Sequence, residues 1–128
     1  MKKVLIVEDH ADMRELLTWQ IELMGFMPIS AKHGKEGVEK AIAERPQLIL
    51  MDIMMPGMDG WEAAQTLRAH PETKDIPILA ATALFRDSDL KHCLESGCNG
   101  YIVKPFTFQE LQGKLREFIP ASNGSLPS

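Results

Sequence analysis

Short apolar runs alternate along this chain with longer stretches in which apolar residues recur every three or four positions, and the alternation repeats from end to end. The runs have the length of buried strands and the stretches have the period of amphipathic helices. Lys3 to Val7 predicts a first strand; Met13, Leu16, Leu17, Ile21 and Met24 then fall at helical spacing, with Gly25 where a helix would stop. Met27 to Ala31 makes a weaker second strand, followed by a helix over Gly34 to Glu44 that turns Val38, Ala41 and Ile42 inward and ends before Pro46. Gln47 to Met51 predicts the third strand, and Pro56-Gly57-Met58-Asp59-Gly60 a loop leading into a helix over Trp61 to Ala69. Ile76 to Ala81 predicts a fourth strand, Asp87 to Glu95 a helix closed by Ser96-Gly97, and Tyr101 to Val103 a short fifth strand. Thr107 caps a last helix that runs to about Ile119, with Gly113 as a weak point costing about 1 kcal/mol relative to alanine.

Strands joined by crossovers this long can pair only in parallel, and right-handed crossovers put helices on both faces of the sheet. The expected fold is therefore α/β, a doubly wound five-stranded parallel sheet. A chain of 128 residues has the size of one domain. From Pro120 the composition turns to Ser, Asn, Gly and Pro, so the reading is a domain over 1–120 and a flexible tail or the start of a linker over 121–128.

Composition narrows the class. A net charge of -4 with 25% charged residues gives no electrostatic reason to expect direct nucleic-acid binding. The apolar run after Met1-Lys2-Lys3 stops at Glu8-Asp9, too early for a signal segment, and no stretch is apolar enough to span a bilayer. Cys93 and Cys98 form no disulfide framework and read as buried apolar side chains, so a cytoplasmic setting without membrane partners is expected. His10, His33, His70 and His92 are scattered without the spacing of a zinc site.

In an open parallel sheet ligands bind beyond the carboxyl ends of the strands. Here those ends are polar: Glu8-Asp9 after the first strand, Asp52 after the third, Thr82 after the fourth and Lys104 after the fifth. Each has a bland explanation by itself, as a helix cap, a turn former or a solvated lysine. Together they place three carboxylates in one crevice, an arrangement disfavoured by repulsion and desolvation unless a cation joins them. A hard divalent ion such as Mg²⁺ suits oxygen donors, with Asp9 and Asp52 as direct ligands and Glu8 acting through water. A carboxylate beside such an ion can attack phosphorus, which makes Asp52 the candidate nucleophile, with Lys104 and Thr82 sharing the charge of the phosphoryl oxygens.

Met51-Asp52-Ile53-Met54-Met55-Pro56-Gly57-Met58-Asp59-Gly60, Val7-Glu8-Asp9, Ala81-Thr82-Ala83 and Gly100-Tyr101-Ile102-Val103-Lys104-Pro105-Phe106 resemble four segments of the receiver domain of two-component response regulators, in a likeness that covers residues 2 to 119. The resemblance implies a flavodoxin-like sheet of order 2-1-3-4-5, Mg²⁺-dependent phosphoryl transfer from a histidine kinase or histidine phosphotransfer protein to Asp52, and the Met54 backbone carbonyl as a further metal ligand. It also implies a cis Lys104–Pro105 bond. On the same footing, Thr82 and Tyr101 would be the switch residues that alter the surface of the fourth helix, fifth strand and fifth helix for a downstream target or output domain. The module would catalyse only its own phosphorylation and dephosphorylation.

Three local departures stand out. Met54 and Leu84, which flank the water path in this family, are both apolar, so the aspartyl phosphate is expected to be long-lived. Phe85 is bulkier than the small residue expected there, and Arg86 follows it on the output side. Trp19, Leu23 and Phe26 are expected to form an apolar patch for a kinase or phosphotransfer helix. The competing readings are an aspartate-nucleophile phosphatase, which would want an acid where Met54 stands, a receiver-like module that is never phosphorylated, and a piece of a larger regulator or hybrid kinase.

Overall fold

The computed structural model describes residues 1–83 and 86–119. Leu84, Phe85 and the expected tail over 121–128 lie outside the described residues. Strands β1 (Lys3–Val7), β2 (Met27–Ala31), β3 (Leu48–Asp52), β4 (Ile78–Thr82) and β5 (Gly100–Val103) alternate with helices α1 (Ala11–Leu23), α2 (Gly34–Glu44), α3 (Gly60–Ala69), α4 (Asp87–Glu95) and α5 (Phe108–Phe118). The strands form one parallel sheet of order β2-β1-β3-β4-β5, the doubly wound arrangement that the alternation predicts.

Successive strand residues face opposite sides, and two cores result. Leu5, Val7, Ile49, Met51, Ile78 and Ala80 pack with Val38, Ala41, Ala63, Leu67 and Cys93 on the side of α2, α3 and α4. Val4, Ile6, Leu48, Leu50, Leu79 and Ile102 pack with Leu17, Ile21, Leu111 and Leu115 on the side of α1 and α5. The central strands β3 and β4 are buried along their whole length, as continuous apolar runs between two helical layers require.

Element boundaries move slightly from the expectation. The fourth strand begins at Ile78 rather than Ile76, because Ile76 N–H bonds to Thr73 O in the preceding turn. The third strand runs one residue further than the apolar run, taking in Asp52, whose place opposite Ala81 on β4 extends the ladder. Arg45 closes α2 in the left-handed conformation at φ 49°, one residue before Pro46. Thr107 accepts from Glu110 N–H while the Glu110 carboxylate accepts from Thr107 N–H, a complete capping box that offsets the glycine at position 113.

On α1 two expectations are corrected. Leu16 was expected inside but is 43% exposed, because Leu17 and Ile21 already fill the face that meets the sheet. Phe26 was expected on the outer patch, but it is partly buried and packs against the core on the α1 side. The exposed stripe is Leu16, Trp19 and Leu23, spaced three and four residues apart along one face of the helix.

Candidate functional site

Strand register builds the site. Val7 on β1 pairs with Met51 on β3, so Glu8 and Asp52 follow side by side; Asp52 pairs with Ala81, and Thr82 with Val103. Four strands therefore deliver Glu8, Asp52, Thr82 and Lys104 to one edge of the sheet. Backbone bonds carry the pairing past the strand ends, from Glu8 N–H to Ala31 O at 3.1 Å, Ile53 N–H to Ala81 O at 3.2 Å and Lys104 N–H to Thr82 O at 2.8 Å.

Carboxylate oxygens of Glu8, Asp9 and Asp52 lie within 4.8 Å of one another. Glu8 and Asp52 are buried, whereas Asp9 is exposed at the mouth. The Lys104 ammonium reaches in from the fifth strand and donates to Asp52 Oδ1 at 3.1 Å and Glu8 Oε1 at 3.3 Å. The other Glu8 oxygen, Oε2, accepts from His10 N–H at 3.1 Å. Thr82 is buried at the end of β4. Around these groups opens a crevice of about 430 Å³ lined by Glu8, Asp9, His10, Met13, Asp52, Met54, Ala83 and Lys104.

Burial, reinforced by the Glu8 charge and only partly offset by Lys104, pushes the Asp52 carboxyl up to about 6. Burial by itself would lower the Lys104 pKa, but the neighbouring Asp52 and Glu8 charges outweigh it and raise the ammonium above its usual value. The crevice thus holds more negative charge than one lysine neutralises, which is the electrostatic condition for taking up a further cation.

The donor set fits a hard divalent ion. Two oxygens on one Mg²⁺ at about 2.1 Å are separated by at most about 4.2 Å. Three carboxylate oxygens within 4.8 Å of one another are close enough to share one such ion after small side-chain shifts. The cluster contains no histidine or cysteine, so its softness does not favour zinc.

The remaining expected residues are close by. Lys104–Pro105 is a cis peptide bond. The Met54 side chain is 58% exposed at the crevice wall. Tyr101 sits on β5, half-buried against the α4-side core, with the Lys114 ammonium 6.0 Å from its ring centroid. Gly60 explains the tight approach of α3: a Cβ there would lie 2.6 Å from Asp52 O and 2.7 Å from Ile53 Cα. Only glycine lets the helix start directly against the backbone of the candidate nucleophile.

Sequence reasoning missed two contributors. It did not foresee that Lys104 bridges Glu8 as well as Asp52, nor that Arg14 reaches back from α1 to the acidic turn, donating from Nη1 to Glu8 O at 2.9 Å and Asp9 O at 3.5 Å. Backbone carbonyls leave no trace in side-chain pattern, and the spacing of an arginine six residues after a glutamate is too common to signal anything.

The doubly wound sheet carries this acidic crevice at the carboxyl ends of its central strands, and residues 4–116 match the response regulator receiver domain family, a class of signalling module to which the chain belongs. It is 38% identical over 114 residues to the transcriptional regulatory protein HprR of Escherichia coli, covering 89% of this chain and 50% of that protein. It is 35% identical over 115 residues to the phosphate regulon transcriptional regulatory protein PhoB of the same organism, covering 90% and 50%. The chain thus spans about half the length of the curated relatives it matches. Among solved structures, the chemotaxis protein CheY4 of Vibrio cholerae superposes with a TM-score of 0.88 at 30% identity, over 92% of this chain and 98% of that one. The receiver domain of the sensor histidine kinase PA1611 of Pseudomonas aeruginosa, with magnesium coordinated in its active site cleft, superposes with a TM-score of 0.86 at 32% identity, over 92% and 97%. Among the described residues no helix is long and apolar enough to cross a membrane.

Proposed function

We propose that this receiver domain takes a phosphoryl group onto Asp52 from a phosphohistidine of a histidine kinase or histidine phosphotransfer protein. The observation that carries the reading is the convergence of Glu8, Asp9 and Asp52 within 4.8 Å around the Lys104 ammonium. Asp9, Asp52 and the Met54 carbonyl would hold Mg²⁺ directly, with Glu8 acting through water; the ion, when bound, neutralises the acids and the incoming phosphoryl oxygens.

Asp52 supplies a carboxylate oxygen in line with the donor's N–P bond. The O–P bond forms as the N–P bond breaks, and the imidazole leaves with the electron pair and takes a proton from solvent. Lys104, freed from Asp52 Oδ1, swings its ammonium to a phosphoryl oxygen, while the Thr82 hydroxyl donates to another. Tyr101 then follows Thr82 inward, and the surface of α4, β5 and α5 changes for a downstream protein or an output domain. This is a two-state equilibrium, shifted only as far as the new charge-assisted bonds favour one state.

Two further features belong to this reading. The domain spans 1–120, with 121–128 as a tail or linker, and it works inside the cytoplasm as a signalling module whose only chemistry is on its own aspartate. The stripe Leu16, Trp19 and Leu23, flanked by Glu15 and Glu22 at the same seven-residue spacing, runs down α1 from the crevice and suits a helix of the phosphodonor with an apolar face and a basic edge.

The test is incubation with acetyl phosphate and Mg²⁺ followed by intact mass. A gain of one phosphate that is lost in Asp52→Asn supports the proposal. No gain in the native chain would favour a module that is never phosphorylated, and steady turnover of small phosphate esters would favour a phosphatase.

A further inference from the structure

We infer that Arg14 is a positioning residue for the metal-binding acids, an inference that rests on reading Glu8, Asp9 and Asp52 as a Mg²⁺ site. Glu8 and Asp9 occupy the turn between β1, which ends at Val7, and α1, which begins at Ala11. A carbonyl in such a turn belongs to neither the ladder nor the helix, so only water or a side-chain donor can satisfy it, and only the latter also fixes its direction. Arg14 supplies one: a single guanidinium nitrogen donates to Glu8 O at 2.9 Å and Asp9 O at 3.5 Å.

The helix start makes this anchor more important. The N-caps of α2, α3 and α5, His33, Asp59 and Thr107, each accept a bond from the third residue on, but His10 at the start of α1, like Arg86 at the start of α4, makes no side-chain cap bond. Arg14 ties the turn to the helix from the other direction, through the carbonyls rather than the amides. The Arg14 main chain is itself fixed, with its N–H on His10 O at 2.9 Å and its carbonyl accepting from Thr18 Oγ1 at 2.8 Å.

The two acids depend on this anchor unequally. Glu8 is held at both oxygens, by Lys104 and by His10 N–H. Asp9 is exposed and its short side chain follows the backbone from which it hangs. Loosening the turn, which Arg14 holds chiefly through the 2.9 Å bond to the preceding Glu8 carbonyl, would therefore blur the direction of the acid expected to ligate the ion.

A purely electrostatic role gives the opposite sign. A guanidinium beside a cation site repels the cation, so removing it would tighten Mg²⁺ binding, although salt screens that repulsion over about 8 Å. Groups that orient metal ligands from behind act more strongly, and their removal weakens binding by about 10-fold to 100-fold. Positioning therefore predicts weaker binding when Arg14 is lost.

The experiment is calorimetric titration of Mg²⁺ into the native chain, Arg14→Met, Arg14→Lys and Asp9→Asn at fixed ionic strength, with the Mg²⁺ dependence of acetyl phosphate labelling measured beside it. Native binding that is lost in Asp9→Asn establishes the site independently of Arg14. The inference then expects Arg14→Met to raise the Mg²⁺ dissociation constant by about 10-fold. Half-saturating Mg²⁺ for labelling rises in step, while the labelling rate at saturating Mg²⁺ returns to the native value. Arg14→Lys, which keeps the charge but not the planar fork, falls between, and it carries the same test should the methionine variant fail to fold. Unchanged or tighter Mg²⁺ binding in the variants overturns the inference and leaves the site reading intact, whereas absence of Mg²⁺ binding by the native chain overturns both.

Discussion

The two edges of the sheet handle buried charge in opposite ways. At the amino edge of β4 and β5 one cation meets many neutral acceptors: Arg68 donates from Nε to Gly97 O at 2.9 Å, from Nη1 to Lys74 O at 2.9 Å and Ile76 O at 2.8 Å, and from Nη2 to Asn99 Oδ1 at 2.6 Å. Asn99 Oδ1 also accepts from Ile78 N–H, the first amide of β4, so the cluster ties α3 to the starts of two strands. At the carboxyl edge three carboxylates crowd one lysine, and burial lifts Asp52 to about 6. The first arrangement is complete without any ligand, and the second is improved by one. The fold thus holds a fully paired cation at one edge and a crowded set of acids at the other, which is where stability and function separate in this molecule.

The largest effect should come from breaking the complete side. Arg68→Met leaves several carbonyls without a donor, and the expected loss is about 3 kcal/mol of unfolding free energy in urea. Acetyl phosphate labelling of the folded fraction should be unchanged. Equal damage to labelling would mean that the two edges are not separable.

Relieving the crowded side should act in the opposite direction. Asp52→Asn removes a charge that the folded state holds with difficulty, and metal-free stability at neutral pH is expected to rise by about 1–2 kcal/mol. The sign follows from linkage. A carboxyl raised from its usual value near 4 to about 6 keeps its proton longer in the folded chain than in the unfolded one. Its contribution is most favourable below pH 4 and is lost as pH rises toward 6. The substitution should flatten the stability curve across that window, and a curve of unchanged shape would contradict the assignment.

Smaller effects sharpen the functional half. Met54→Asn places a group able to orient water at the crevice wall, and decay of purified aspartyl phosphate should quicken several-fold; equal or slower decay would remove the idea. Trp19→Ala, on the exposed stripe, should change unfolding free energy by under about 0.5 kcal/mol. It should nonetheless slow transfer from a phosphorylated donor protein while leaving labelling by acetyl phosphate alone. A uniform slowing of both would place the defect in the chemistry instead.

Much of this was legible from the residues. The alternation of apolar runs and helical stretches located each element, since buried strands and amphipathic helices differ in both length and period. The polar residues Glu8, Asp9, Asp52, Thr82 and Lys104 stood out because each interrupts or follows an apolar run at a strand end, and the register brings all five to one edge. Less legible was which of two adjacent leucines faces in: Leu16 and Leu17 both fit a helical stripe, and only packing assigned Leu17 to the core. Phe26 was misplaced because a residue just past a helix end has no period to read, and here it folds back onto the core. Arg14 and Arg68 were invisible because their partners are mostly backbone carbonyls, which every residue carries.

The central claim is that these acids make Asp52 a magnesium-dependent phosphoacceptor. Its most direct test is peptide mapping by mass spectrometry after exposure to acetyl phosphate, with Mg²⁺ in one sample and EDTA in the other. The account predicts phosphate on the peptide containing Asp52 in the first sample and none in the second. Phosphate on another peptide, or equal labelling of Asp52 in EDTA, would contradict it.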